Sequence, residues 1–480
     1  MTTAEAIRQP RGAFAALTSR SYRIYLSGQS LANTGTWMQS IAQDWLIFSL
    51  THSSAAVGVT MAAQFLPILL LGLHTGALAD RLPKRRILLT TQTLNAAATG
   101  ALACITIAGA VRPADVYAFA LLSGLIFSFD APARQAFITE VVPSSRLRAA
   151  IAMNAAVFQS TRLIGPALAS LLIETAGTGW VFAVNAACYI APTIGLLRLR
   201  PSDLERAPVA AREHGGLRTT VRYLRRRPDV LWTIFLVGML GTFGLNFPIV
   251  LTAMAKSTFH GNASTYGLFN IVLAIGSATG ALLAGARTRT SSRALVLSAA
   301  SFGLLQAAAA IAPGMVAFLA LLSAMGFVNL AFQAMANASV QLAVDPELRG
   351  RVMGLYMLVF IGGTPVGAPI VGTLTNHLGA RAGMAICGLV PMLAALVVAA
   401  GAKAQGVQGV QGVQGVQGAR SLSRAPAPAW PARMVRWPIT SKRGCTLGLA
   451  SSGPDSSTMS VPCSADPRLP RTGASTKPTP

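Results

Sequence analysis

Twelve apolar runs follow one another between residues 22 and 402, and arginine and lysine fall almost wholly in every second gap between them. Each run supplies the roughly 20 residues that a helix needs to cross about 30 Å of hydrocarbon. They lie near 22–50, 55–80, 87–110, 114–139, 149–174, 178–199, 230–255, 264–286, 294–312, 315–343, 352–376 and 381–402. Lipid offers no partner for a free backbone N–H or C=O, so runs of this length cross as helices, whose backbone bonds are satisfied internally. The gaps that begin with the N-terminus hold 24 basic residues, and the alternate gaps hold three, Arg112, Lys256 and Arg381. Positive charge is retained on the cytoplasmic side of a membrane, so both termini are predicted to be cytoplasmic.

With 52% hydrophobic and 11% charged residues, the chain is too apolar for a soluble enzyme. Its net charge of +24 would suit a nucleic-acid binder if the cations were gathered on one folded surface. Scattered over short loops, they describe a cytoplasmic membrane face, and no nucleic acid is expected as a partner. Five cysteines, at 104, 188, 387, 445 and 463, form no close pair, which implies neither a disulfide framework nor a zinc site. The polar, basic N-terminus lacks the apolar core of a cleavable signal peptide, so the first span is expected to start insertion itself. No G-x-x-x-x-G-K-[ST] loop, H-E-x-x-H or nucleophile elbow occurs, so no enzyme, cofactor or metal is expected.

The spans divide six and six about a basic stretch. This gives a cytoplasmic N-terminus (1–21), a first six-helix bundle (22–199), a basic linker (200–229), a second bundle (230–402) and a disordered cytoplasmic tail (403–480). In the linker Leu217, Val221 and Leu224 recur at helical spacing among Arg218, Arg222, Arg225 and Arg226. That pattern fits a short helix on the anionic inner leaflet as well as it fits a solvated basic loop. The halves share short matches: Gly76-Ala77-Leu78 with Gly280-Ala281-Leu282, Leu147-Arg148 with Leu348-Arg349, and Gly165-Pro166 with Gly367-Ala368-Pro369. Similar offsets at corresponding topological positions suggest a six-helix unit repeated in parallel. The tail opens on Gln-Gly-Val triplets from Gln405 to Val416, a tract in which a reading frame can slip, and shows no apolar period.

The strongest local signal runs from Gly76 to Arg86 at the cytoplasmic end of span 2, as Gly-Ala-Leu-Ala-Asp-Arg-Leu-Pro-Lys-Arg-Arg. It resembles the G-x-L-A-D-R-x-G-R-K loop of the major facilitator superfamily, with Asp80 and Arg81 at its acidic and first basic positions. Pro83 stands where that family usually has glycine, and Lys84 and Arg85 exchange the usual order of the basic pair. In the family this loop latches one conformation shut. The resemblance therefore implies a cytoplasmic latch of Gly76, Asp80, Arg81, Lys84, Arg85 and Arg86. Gly76 would admit a neighbouring helix, and Asp80 would cap a helix N-terminus or pair with an arginine across the halves. Gly165-Pro166 in span 5 resembles part of the helix-kink motif of superfamily antiporters, with Ala169 and Ser170 in place of its trailing glycines. Ser27-Gly28-Gln29, Gly35 to Ser40, Phe129 to Gln135, and the second-half loop Glu347-Leu348-Arg349-Gly350-Arg351 look like the enterobactin-exporter-like branch, the transmembrane secretion effectors. This resemblance covers about residues 14–402 and implies export of siderophores or drugs.

Charges inside spans are the candidate working groups, because each costs roughly 2.5 to 3.5 kcal/mol at the bilayer centre and so calls for a partner or a role. Arg162 lies deep in span 5, where it would pair with an acid of the first half or meet an anionic substrate. Asp130 and Arg134 lie four apart on one face of span 4, as a structural ion pair or as substrate contacts. Asp44, beside Trp45 near the outer end of span 1, suits either proton coupling or an interfacial belt. Gln29, Gln39, Gln43 and Gln64 would line a pathway or bond helix to helix. The runs Gly276-x-x-x-Gly280 and Gly363-x-x-x-Gly367 read as packing seams.

The expectation is an all-α membrane protein of twelve transmembrane helices, arranged as two pseudo-symmetric six-helix bundles in the major facilitator fold. It would be a monomer of a bacterial-type inner (plasma) membrane whose partners are a small-molecule substrate, protons and the lipid bilayer. It would export by alternating access in exchange for protons. Asp44 and Asp130 are the coupling candidates, with Arg134 and Arg162 as their partners. Proton-linked uptake and a transport-inactive receptor or scaffold on the same fold are the alternatives.

Overall fold

The computed structural model describes residues 13–199, 217–285 and 291–404, and every regular element among them is helical. A short 3-10 turn (Ala13–Thr18) leads into α1 (Arg20–Thr51), α2 (Ser54–Arg81), α3 (Lys84–Ile107), α4 (Pro113–Val141) and α5 (Leu147–Ala176). The sixth crossing breaks at Tyr189 into α6 (Thr178–Cys188) and α7 (Ile190–Arg198). After α8 (Leu217–Arg225), the seventh runs as α9 (Pro228–Met239), a π-helical turn (Leu240–Gly244), α10 (Phe247–Ala253) and a second π-helical turn (Met254–Thr258). Then come α11 (Ala263–Gly285), α12 (Ser292–Ala310) and α13 (Met315–Ala343). The chain continues as α14 (Pro346–Gly362) and α15 (Thr364–Leu378), which form one crossing broken at Gly363, and as α16 (Ala380–Ala404).

Ten crossings are long and apolar enough to span a membrane. The other two, α1 and α3, fall short in composition alone, since 32 and 24 residues at 1.5 Å each give about 48 and 36 Å. The cause is visible in the packing: Gln29, Gln39, Gln43 and Asp44 of α1, and Thr91, Gln92 and Thr99 of α3, are all buried within the protein. Large apolar side chains instead project outward, among them Leu171, Leu282, Leu304, Ile311 and Val316, each at least 60% exposed. An apolar surface of that kind is stable in lipid and would be an aggregation site in water.

Helices α1 to α7 pack among one another, α9 to α16 do the same, and the two sets meet chiefly along α2 against α15 and α5 against α11. Both seams depend on glycine. A Cβ at Gly58 of α2 would strike the Ala368 carbonyl of α15, and one at Gly267 of α11 would strike the Ser170 hydroxyl of α5. By chain order α11 holds in the second set the place of α2 in the first, and α15 that of α5, so one seam is the pseudo-symmetry mate of the other. The same relation holds within the sets. Gly165 presses α5 onto α1 at Trp37, and Gly367, 202 positions later, presses α15 onto the seventh crossing at Thr242. Gly276 and Gly280 likewise seat α11 on the α13 backbone at Ser323 and Phe327.

Among the described side chains of α8, Thr220 and Leu224 are buried, while Val221, Arg222 and Arg225 are exposed. Its neighbours are α9 and α14, so Leu224 of the expected stripe turns toward protein while Val221 remains on the outer face. The rest of the linker (200–216), the N-terminal residues 1–12 and the tail from 405 lie outside the described residues.

Candidate functional site

A cavity of about 1220 Å³ opens between the two sets of helices. Its walls come from the end of α4 (Gln135, Ile138), the first half of α5 (Ile151, Asn154, Ala155, Phe158, Gln159), the end of α11 (Ala281, Leu283), the second half of α13 and the middle of α14 (Tyr356, Met357, Phe360). Helix α13 adds Phe327, Gln333, Met335 and Asn337 to these walls. Apart from α14, these are the helix portions nearest the α4–α5 turn, the end of α11 and the α13–α14 turn, which share the side of the N-terminal segment, so the cavity opens on that side. The lining is apolar and aromatic, interrupted by five side-chain amides, and none of the described lining residues is charged. The volume exceeds the roughly 300–1,000 Å³ of an ordinary small-molecule pocket.

The opposite side is sealed by bonds that cross between the sets. The Tyr266 hydroxyl of α11 donates to Asp44 Oδ2 of α1 at 2.9 Å, and both residues are buried. Trp45 stacks on Tyr266 with ring centroids 6.4 Å apart, and Lys256 lies over the Trp45 ring at 5.9 Å. Glu174, near the end of α5, accepts from the backbone N–H of Ser264 in α11 at 3.1 Å. Asp44 forms no ion pair among the described residues, and its expected cationic partner is replaced by this tyrosine.

Arg162 follows one turn after Phe158 and Gln159 on the same face of α5, just beyond the residues that line the cavity. Its guanidinium lies 5.6 Å from the centroid of the Trp37 ring, and Trp37 in turn meets Phe158 edge-on at 5.7 Å. Gly165 makes this possible by letting α5 approach α1 at Trp37, one turn beyond the arginine; Pro166 follows inside the same helix. No described carboxylate bonds Arg162, so the acid expected to pair with it is absent and an aromatic face takes its place. A desolvated cation on a Trp face gains about 2 kcal/mol, less than a carboxylate would supply, and keeps its donors unspent.

Asp130 and Arg134 form an ion pair on one face of α4. Asp130 is 2% exposed and also accepts from Thr91 Oγ1 at 2.7 Å and Gln92 Nε2 at 3.4 Å, both on α3. The pair thus ties α3 to α4 within the first set and does not line the cavity, although its neighbour Gln135 does. Thr91 and Gln92 were missed by the motif reading; the polar run Thr90-Thr91-Gln92-Thr93 inside an apolar span was the available signal.

The described contacts of the expected latch lie within the first set. Lys84 pairs with Glu140 of α4 at 3.7 Å, and Arg85 donates to the Leu196 and Leu197 carbonyls at the end of α7, at 2.8 and 3.2 Å. Cations at a helix C-terminus satisfy its free carbonyls and oppose its dipole. Arg81 and Arg86 are exposed, and the side chain of Asp80 lies outside the described residues. Gly76 admits no close neighbour: a Cβ there meets no described atom within 4 Å. In the second-half loop Arg349 reaches the Val344 carbonyl at 3.5 Å, Arg351 is partly buried at the start of α14, and the side chain of Glu347 lies outside the described residues.

Of the four glutamines in spans 1 and 2, Gln39, Gln43 and Gln64 bond between helices, the second of the two roles expected, and Gln29 donates to Asn33 Oδ1 at 2.8 Å within α1. Gln39 accepts from Thr99 of α3 at 3.2 Å and from Asn185 of α6, and Gln43 reaches Gln64 of α2 at 3.5 Å. The cavity takes its amides from Gln135, Asn154, Gln159, Gln333 and Asn337, on helices that composition alone did not single out.

The profile of the transmembrane secretion effector family matches residues 11–428. The multidrug efflux pump Tap of Mycolicibacterium fortuitum is 29% identical over 381 residues, 77% of this chain and 92% of the pump. The enterobactin exporter EntS of Salmonella typhimurium is 23% identical, over 74% of this chain and 86% of the exporter. Among solved structures, a bacterial homologue of the human lysosomal transporter Spinster superposes with a TM-score of 0.61 at 14% identity, covering 79% of this chain and 96% of that one.

Proposed function

Because the chain belongs to the transmembrane secretion effector family of major facilitator transporters, we propose that it exports an amphipathic small molecule across the plasma membrane by alternating access, in exchange for protons. One observation carries the reading: a large cavity between two pseudo-symmetric helix sets, open on one side and sealed on the other by bonds that cross between them. That is the geometry of a carrier in one of its two access states. The open side is the one whose loops hold the basic residues, which by the positive-inside rule is the cytoplasm, so the cavity loads from within. Export as the direction is supported by the relatives, named as an efflux pump and an exporter.

Asp44 is the coupling group in this reading. It is a buried carboxylate with no cation, bonded across the halves to Tyr266 on the sealed side. A proton arriving there from outside replaces a charge-assisted bond with a neutral one and loosens the seal, which links proton entry to opening. Asp130 with Arg134, and the loop from Asp80 to Arg86, act on the cytoplasmic side as structural ties whose rearrangement closes the cavity. The test is efflux of a panel of labelled lipophilic drugs and siderophores from preloaded cells, with and without a protonophore, in the wild type and in Asp44→Asn. Protonophore-sensitive efflux that disappears in Asp44→Asn is expected. Efflux that ignores the protonophore, or survives in the variant, removes Asp44 from the coupling path.

A further inference from the structure

We infer that the cavity selects amphipathic anions, and that Arg162 is the group that receives their charge. This rests on the export reading and names its substrate class: a molecule with an aromatic or aliphatic body, a polar hydrogen-bonding flank and a carboxylate or comparable anion at one end.

The described lining of the cavity holds no aspartate or glutamate, so a cationic ligand would give up its hydration for amides and aromatic edges alone, with no counter-charge. One turn beyond the lining on the cavity-facing stripe of α5 stands Arg162, whose guanidinium has no described hydrogen bond or ion pair and rests on the Trp37 ring. An intramembrane arginine held in this way is costly unless something else neutralises it during the cycle. Its five N–H donors form a planar fork suited to a carboxylate.

The placement supports the same conclusion. Ile151, Ala155, Phe158 and Arg162 recur at i, i+4, i+7 and i+11, so the arginine continues the cavity-facing stripe of α5 one turn past the last lining residue of that stripe. Asn154 also lines the cavity, and its Oδ1 has no hydrogen-bond partner. Eight residues separate Asn154 from Arg162, about 12 Å along the helix at 1.5 Å per residue. A ligand that lays its apolar body along Phe158 and opposite Phe327 and Tyr356 therefore reaches an anion site at one end and an unspent amide acceptor at the other.

The test uses the purified full-length chain and three naphthalene amides identical but for a terminal carboxylate, methyl ester or trimethylammonium group. Equilibrium binding is measured for the wild type, Arg162→Gln and Arg162→Lys, and each compound is offered to everted vesicles. The carboxylate is expected to bind roughly tenfold or more tightly than the ester, as a charge-assisted pair replaces a neutral contact, with the trimethylammonium compound weakest. Arg162→Gln is expected to erase the preference while leaving ester affinity within about threefold, since the apolar and amide contacts remain; Arg162→Lys is expected to keep part of the preference. Equal binding of cation and anion, or a preference that persists in Arg162→Gln, overturns the inference. Accumulation of the ester without any charge preference would sink this inference and leave export standing. An Arg162-dependent preference without accumulation would do the reverse, and no binding by any of the three would overturn both.

Discussion

Replacing Tyr266 with phenylalanine isolates the bond that seals the outer side. The ring is fully buried and stacked on Trp45, so Tyr266→Phe conserves the packing and removes only the hydroxyl that donates to Asp44. A hydrogen bond to a charged acceptor contributes about 1.5–3 kcal/mol, and a neutral pair about 0.5–1.5 kcal/mol. Because this bond joins α1 to α11 across the two sets, it belongs to the outer-closed state. Its loss should therefore shift the balance toward the outer-open state by roughly 10- to 150-fold with Asp44 ionised, and roughly 2- to 13-fold with it protonated. Spin labels at cysteines replacing Ala110 and Pro313, exposed outer-side positions in opposite sets, report the shift as growth of the longer distance. The same substitution in an Asp44→Asn background should have the smaller effect, and the double-mutant cycle gives the coupling between the two groups. An unchanged distance distribution, or an equal shift in both backgrounds, would refute the claim that this bond holds the outer side closed.

Further outcomes follow from other contacts. Arg134→Leu leaves Asp130 buried without its cation and should cost about 3–5 kcal/mol, read as a lower melting temperature in detergent, whereas adding Asp130→Asn should recover much of the loss. Gly267→Ala drives a Cβ onto the Ser170 hydroxyl and should cost about 1–3 kcal/mol of thermal stability; Ser170→Gly in the same chain should relieve it, and failure to do so would place the strain elsewhere. Deleting residues 405–480 should leave efflux intact, while loss of activity would give that segment the working role that a receptor or scaffold needs.

Much of the fold was legible because its determinants are local. Span length and the alternation of basic loops are properties of single segments. The Asp130–Arg134 pair was legible for the same reason, since a spacing of four places two side chains on one face. What was not legible is what depends on how the two sets meet. Nothing near Asp44 points to Tyr266, which is 222 residues away on another helix. The depth of Arg162 followed from counting along a helix, but that its partner would be Trp37, brought close at Gly165, and not a carboxylate, depended on the approach of α1. Amides serve helix contacts and cavity walls equally well, so Gln39 and Gln43 could not be told from Gln135 and Gln159 by type. Glycine has the same ambiguity: Gly76 meets no described atom, while Gly58, in no motif, holds a seam.

The most direct measurement is accumulation of the naphthalene carboxylate by everted membrane vesicles, whose cytoplasmic face is outermost, with the lumen made acidic. If the cavity loads from the cytoplasm and Asp44 exchanges protons for substrate, the compound should concentrate in the lumen, collapse with a protonophore and fail to accumulate in Asp44→Asn. Accumulation that needs no proton gradient, or that occurs only in right-side-out vesicles, would contradict proton-driven export.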